Sequence, residues 1–242
     1  MTDTPWLDLR RAGTRGVSEH GPGVTATHSF SFGAHYDPTN LGFGPIVCHD
    51  DHRLAPGAGY DDHPHSGVEI VTWVLDGALA HSSPGTASGT VGAGGAQVLS
   101  AGSGVVHAET GEPGAGTTRF VQTWLRADDP DAAPSYAAGA GPVVAPAAGA
   151  GLVPVAGGDA ELPLGVAGAV LWLATGGGDL ALPEAARTHL YLPDGTGHLE
   201  DAGDLGAGDA VRLEASGGRR LTLATGSTAL VWSFAGARAG ER

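Results

Sequence analysis

The apolar residues of this 242-residue chain come in runs too short for helices. VEIVTWVL (68–75), AQVLS (96–100), TRFVQTWLR (118–126) and TALVWSF (228–234) are each bounded by Gly, Pro, Asp or Ser, the punctuation of strands and turns. Further short runs lie at 78–81, 168–174, 188–192, 210–214 and 221–225. Many short strands at regular spacing predict an all-β barrel or sandwich. Short helical turns are expected only near 127–137 and 183–187. The 42 glycines read as turn formers, because 41% hydrophobic residues still leave enough apolar surface for a core.

The two halves share one order: strand, Asp-Gly turn, strand, Gly-rich corner, strand. EIVTWVLDGALAH and AGGAQVLSAGSG in the first half answer THLYLPDGTGHLED and LGAGDAVRLEASGG in the second. Asp76-Gly77 and Asp194-Gly195 read as hairpin turns, which need positive φ. Two related β-barrels are predicted: residues 1–135 as a metal-binding domain, 136–165 as linker and covering loops rich in Ala, Gly and Pro, and 166–242 as a degenerate second barrel without metal.

Charge removes whole classes of function. The formal net charge is −14, and all twelve cationic side chains are arginine. Without lysine, Schiff-base chemistry is excluded, and an acidic chain without a basic patch is a poor partner for nucleic acid or anionic membranes. A single cysteine, Cys48, allows no intrachain disulfide and suits a reducing compartment. No apolar run approaches membrane-spanning length, and the first residues show no apolar leader, so a cytoplasmic protein is expected.

Chemistry is concentrated in two short stretches. His63 and His65, separated by Pro64, project to the same side of a strand, and Glu69 shares their parity if the strand is regular. Proline fits only the edge or first residues of such a strand. In SAGSGVVHAETG, His107 and Glu109 are again one residue apart, preceded by Gly102 and Gly104, which permit a tight corner. Three imidazoles and a carboxylate suit one divalent first-row metal: Fe(II), Mn, Ni, Co or Cu. His28, His35, His49, His52 and His81 are expected as surface or supporting groups. His189 and His198 lack partners at ligand spacing, and Trp73, Trp124, Trp172 and Trp232 are expected in the core. Cys48 and His49, adjacent on a strand, face opposite ways. No nucleophile elbow or phosphate-binding loop competes.

HPHSGVE at 63–69 and GVVH at 104–107 resemble the two motifs of the cupin superfamily. The longer run from HSFSFGAHYDP (28–38) through GFGP (42–45), DDHRLAPGAGYDDHPH (50–65), EIVTWVLDGALAH (69–81) and SAGSGVVHAE (100–109) resembles the pirin family, nearer its bacterial branch that includes quercetin 2,3-dioxygenases. The likeness runs through RFVQTWLR and PSY to about residue 136. It implies a bicupin with one metal, Fe(II) foremost, in the N-terminal barrel on His63, His65, His107 and Glu109, with Glu69 as a supporting group. It also implies a flavonol-type substrate and O2, with Glu109 accepting the substrate's proton. A second implied reading is a non-catalytic, redox-responsive regulator acting through a protein partner, and a third a structural metal. Two departures bear on the pocket: Ser66 stands where the family often has Arg, and the hairpin at 82–89 reads SSPGTASG. Spacing favours the same carboxylate: Glu109 is one strand repeat of about 7 Å from His107, whereas Glu69 is about 13 Å beyond His65.

Overall fold

The structure, a computed structural model, describes residues 6–139, 151–215 and 218–236. These residues form nineteen strands: β1 (Trp6–Arg10), β2 (Gly16–Glu19), β3 (Val24–His28), β4 (Ile46–Leu54), β5 (Gly59–His65), β6 (Val68–Asp76), β7 (Ala78–Ser82), β8 (Gly89–Gly92), β9 (Ala96–Ser100), β10 (Val105–Gly111), β11 (Thr118–Arg126), β12 (Ser135–Gly139), β13 (Gly151–Ala156), β14 (Ala169–Ala181), β15 (Arg187–Asp194), β16 (Thr196–Leu199), β17 (Gly203–Gly206), β18 (Ala210–Glu214) and β19 (Arg220–Phe234). The helical turns expected near 127–137 and 183–187 are absent among the described residues. Single 3-10 turns lie instead at Ala12–Thr14 and Pro113–Ala115. Among the described residues no helix is long and apolar enough to cross a membrane.

The chain forms two compact β units. The first comprises Arg15–Val143 and Glu161–Val166, the second Met1–Thr14, Val144–Ala160 and Ala167–Arg242. The boundaries expected at 135 and 166 are therefore corrected by strand pairing. The first strand, β1, completes the C-terminal sheet against β18, because β18 has an open edge there. β12 and β13, expected as linker, pair with β9 and β14 respectively. Residues 140–150 of that linker lie outside the described residues.

In the N-terminal unit a seven-stranded sheet, ordered β12-β9-β6-β11-β4-β3-β2, accompanies a four-stranded one, β5-β10-β7-β8. Both are antiparallel jelly-roll sheets, and side chains from each meet in one cluster: Val24, Leu54, Val74 and Phe120 from the first, Leu79 and Val91 from the second. The two Asp-Gly pairs are not hairpins, as expected from sequence, but corners. β6 bonds β9 and β11, whereas β7 bonds β8 and β10, so the chain changes sheet at Gly77. Gly77 has φ 69°, and a Cβ there would approach the Thr117 carbonyl oxygen to 2.7 Å. Gly195, φ 84°, instead bends the chain within one sheet, since β15 and β16 both pair β19. The C-terminal unit is one eight-stranded sheet system whose core is built mainly of leucine, including Leu190, Leu192, Leu199, Leu213, Leu221 and Leu223. There the runs 221–225 and 228–234 join as one strand, β19, through Gly226 at φ 80°.

Candidate metal centre

Two corners deliver the histidines. β5 is the edge of its sheet, which is where Pro64, lacking an N–H, costs no ladder bond. The chain leaves β5 through Gly67 (φ 66°) and reaches β10 through Gly102 (φ 44°) and Gly104 (φ 140°). The Gly67 N–H donates to the Gly102 carbonyl at 2.8 Å, so the two corners hold each other. β5 and β10 then pair with His107 opposite His63 and Val105 opposite His65.

This register packs three imidazoles together, edge to face in two of the three pairs. Ring centroids are 4.4 Å apart for His63 and His107, 5.0 Å for His65 and His107, and 4.9 Å for His63 and His65. One donor nitrogen from each lies within 4.8 Å of the others. A bulge follows His107, and beyond it Glu109 joins an overlapping group, sharing His107 and adding His81, with donor atoms again within 4.8 Å. His81 was expected only as a supporting or surface residue. It is buried, and its Nδ1 is 3.4 Å from Nδ1 of His107.

The nitrogens that could hold an ion are free among the described residues. His63 Nδ1 donates to the Asp61 carbonyl at 2.7 Å, which leaves its Nε2 with a lone pair. Among the described residues Nε2 of His65 and of His107 has no hydrogen-bond partner. Burial, aided by neighbouring imidazoles, pushes His65 down to about 4 and His107 to about 3. Both rings are therefore neutral at pH 7, the form that binds a metal. Buried, unpartnered acceptors converging on one point fit a divalent first-row ion.

Glu109 is 2% exposed and held by two glutamines. Gln97 donates to Oε1 at 2.9 Å, and Gln122 to Oε1 and Oε2 at 3.1 and 2.9 Å. Each amide is oriented from behind: Tyr136 O–H donates to Gln97 at 3.0 Å and Trp124 Nε1–H to Gln122 at 2.8 Å. Burial nevertheless raises the Glu109 carboxyl above its ordinary value, against the pull of those bonds and of His63. A carboxylate so placed is a competent proton acceptor.

Glu69 behaves differently from expectation. The turn at Gly67 puts it on β6, in the other sheet, so parity with His65 does not carry across. Its carboxylate accepts from Ser100 Oγ at 2.7 Å and from the Gly165 N–H at 3.1 Å, and so ties the segment around Gly165 to β6 and β9. Gln97 and Gln122 escaped sequence reading. The available signal was a lone amide in an otherwise apolar strand, which burial obliges to find a partner.

Beside the histidines lies a cavity of about 180 Å³, whose wall includes His63 and Glu109 together with Phe32, Asp50, Tyr60 and Trp124. His28, His49 and His52, expected at the surface or in support, are buried, and His28 and His52 line this cavity. Ser66 lies instead on an open depression with His65 and Ser103.

Comparison with known proteins agrees with this fold. The pirin family model, described as "Pirin", matches residues 11–125. A "Putative quercetin 2,3-dioxygenase" of Mycobacterium tuberculosis is 38% identical over 237 residues, spanning 96% of both chains. The quercetin 2,3-dioxygenase of Escherichia coli K12 is 34% identical over 128 residues, 53% of this chain and 55% of the relative. A bacterial pirin from Escherichia coli, solved in complex with nickel(II), superposes with TM-score 0.84 at 24% identity, covering 96% of this chain and 100% of the other.

Proposed function

The chain belongs to the pirin family, and from that premise we propose that it is a metal-dependent dioxygenase opening flavonol-type rings with O2, the metal held by His63, His65, His107 and Glu109. The observation that carries this reading is the cluster of neutral imidazoles with unpartnered Nε2 atoms beside a buried carboxylate. A bound divalent ion supplies Lewis acidity toward an enol or phenol oxygen and a route for electrons to O2. Fe(II) is the leading candidate, and the nickel complex of the Escherichia coli pirin makes Ni a second. The protein's own part is to fix geometry and handle one proton. Glu109 takes the proton of the substrate hydroxyl, and the glutamines keep its oxygens aimed while it does so. Trp124 and Tyr60 wall the adjoining cavity against water. The C-terminal unit, filled by leucine, is a degenerate barrel with a structural role.

Metal analysis followed by a flavonol assay tests this. With metal-loaded protein and no oxygen, quercetin should shift its absorption band. Air should then bleach it with release of carbon monoxide, the quercetinase outcome. An unshifted spectrum with full metal occupancy would replace this reading with a non-catalytic, redox-responsive regulator working through a protein partner.

A further inference from the structure

We infer that the cavity against His63 and Glu109 is a subsite for one hydroxylated aromatic ring, and that Asp50 selects that ring by accepting a hydrogen bond from its hydroxyl. The inference rests on the dioxygenase reading in taking an aromatic hydroxyl compound as substrate, and adds which part of it is enclosed and by what it is chosen.

Size sets the first limit. Drug-sized ligands occupy pockets of about 300–1,000 Å³, whereas an apolar cavity of about 150 Å³ binds benzene. At about 180 Å³ this cavity encloses a single ring with small substituents, so the remaining rings of a flavonol stay outside it. The walls suit a flat guest. His28 stacks on Phe32 with centroids 4.7 Å apart, His52 stacks on Phe120 at 4.7 Å, and Tyr60 and Trp124 complete the enclosure.

The polar recognition lies on β4. Asp50 is 3% exposed yet lines the cavity. Its Oδ2 is engaged by His28 Nδ1 at 2.8 Å and by the Cys48 thiol at 3.2 Å. His28 is itself fixed at its far nitrogen by Ser18 Oγ, 2.9 Å away. No hydrogen bond within the described residues reaches Oδ1 of Asp50. Burial pushes the Asp50 carboxyl up, but the bond from His28, the neighbouring His52 and the Cys48 thiol outweigh it and hold the carboxyl below its ordinary value, so it is ionised at pH 7. A carboxylate oxygen without a protein donor, on a residue that lines the cavity, is open to a donor from a ligand. A phenolic O–H brings that donor on a ring that fills the remaining space.

Anaerobic binding decides the matter, measured by quenching of tryptophan fluorescence with metal-loaded protein. Quercetin, with two hydroxyls on its phenyl ring, should bind about ten-fold tighter than galangin, whose phenyl ring has none, as expected for a hydrogen bond to a charged acceptor. Asp50→Asn should bring the two within about two-fold by weakening quercetin alone. Phe32→Leu, a change at a partly exposed position, should weaken both equally and serves if Asp50→Asn does not fold. Equal affinities in the wild type, an unchanged preference in Asp50→Asn, or no binding of either compound would overturn the subsite. Turnover in air separates the two readings. Selective binding without turnover removes the dioxygenase and leaves the subsite; turnover with equal affinities does the reverse.

Discussion

Glu109 accepts hydrogen bonds from Gln97 and Gln122, and Tyr136 and Trp124 fix both amides from behind. Such a carboxylate cannot swing away from the histidines without breaking several bonds at once. Glu109→Gln is therefore expected to lower metal content severely, because the neutral amide is a poor ligand and its N–H2 faces the amide donors of two glutamines. Glu69→Gln should keep the metal, since its partners are Ser100 and Gly165, and should only loosen the segment around Gly165. Metal per protomer measured on both variants checks this; loss confined to Glu69→Gln would reverse the assignment. At this scale the sequence showed the groups that meet in space through local spacing. His63, His65, His107 and Glu109 stand two apart within their strands, and period-two geometry brings each pair to one side. His81, Asp50 and the glutamines were hidden because their partners are supplied by other strands, and a single polar residue in an apolar run does not say which strand it faces.

The strands that sequence located well are those buried in the larger N-terminal sheet: β6, β9 and β11 carry apolar segments, and the structure places strands where those segments lie. Those that carry the site do not stand out as apolar runs, and only the spacing of His63 and His65 and of His107 and Glu109 marks them as strands. β5 reads GYDDHPH and β10 reads VVHAETG, because inward positions that would normally be apolar hold the polar groups of the centre. The Asp-Gly pairs were correctly read as turns and wrongly as hairpins, since positive φ serves a corner as well as a two-residue loop. The corners yield a prediction. A Cβ at Gly102 would collide with the Ala132 carbonyl, and its φ is 44°, whereas Gly94, φ 79°, has open space around it. Gly102→Ala should cost more than about 2 kcal/mol and lower metal occupancy, because Gly102 anchors the turn before His65's neighbour strand. Gly94→Ala should cost only about 1 kcal/mol of backbone strain and leave occupancy intact. Denaturant midpoints and metal stoichiometry of the two variants decide.

Five buried or half-buried histidines make the molecule's stability respond to acid. Burial lowers His49 and His107 to about 3 and His52, His65 and His81 to about 4. In the unfolded chain the same rings take up protons near pH 6.5, so below that value the unfolded state binds more protons than the folded one. Metal-free protein should hold full stability above pH 6.5 and lose it steadily as pH falls toward 4, read as a falling Tm between pH 7 and pH 5. Glu109, its carboxyl raised, works the other way but contributes one proton against five. A Tm level across that range would show that the rings are already protonated in the fold. Thermal unfolding of the acidic chain thus depends on a cluster legible only once the sheets are assembled. The pairing of β1 with β18 has a consequence for biosynthesis. β1 leaves the ribosome ahead of the whole first unit, whereas its partner β18 follows that unit. Long-range pairings of this kind are slow to form and leave edges open meanwhile. Trp6 to Arg10 must therefore wait, unpaired, while every strand between β1 and β18 is made, and the C-terminal sheet cannot be sealed before then.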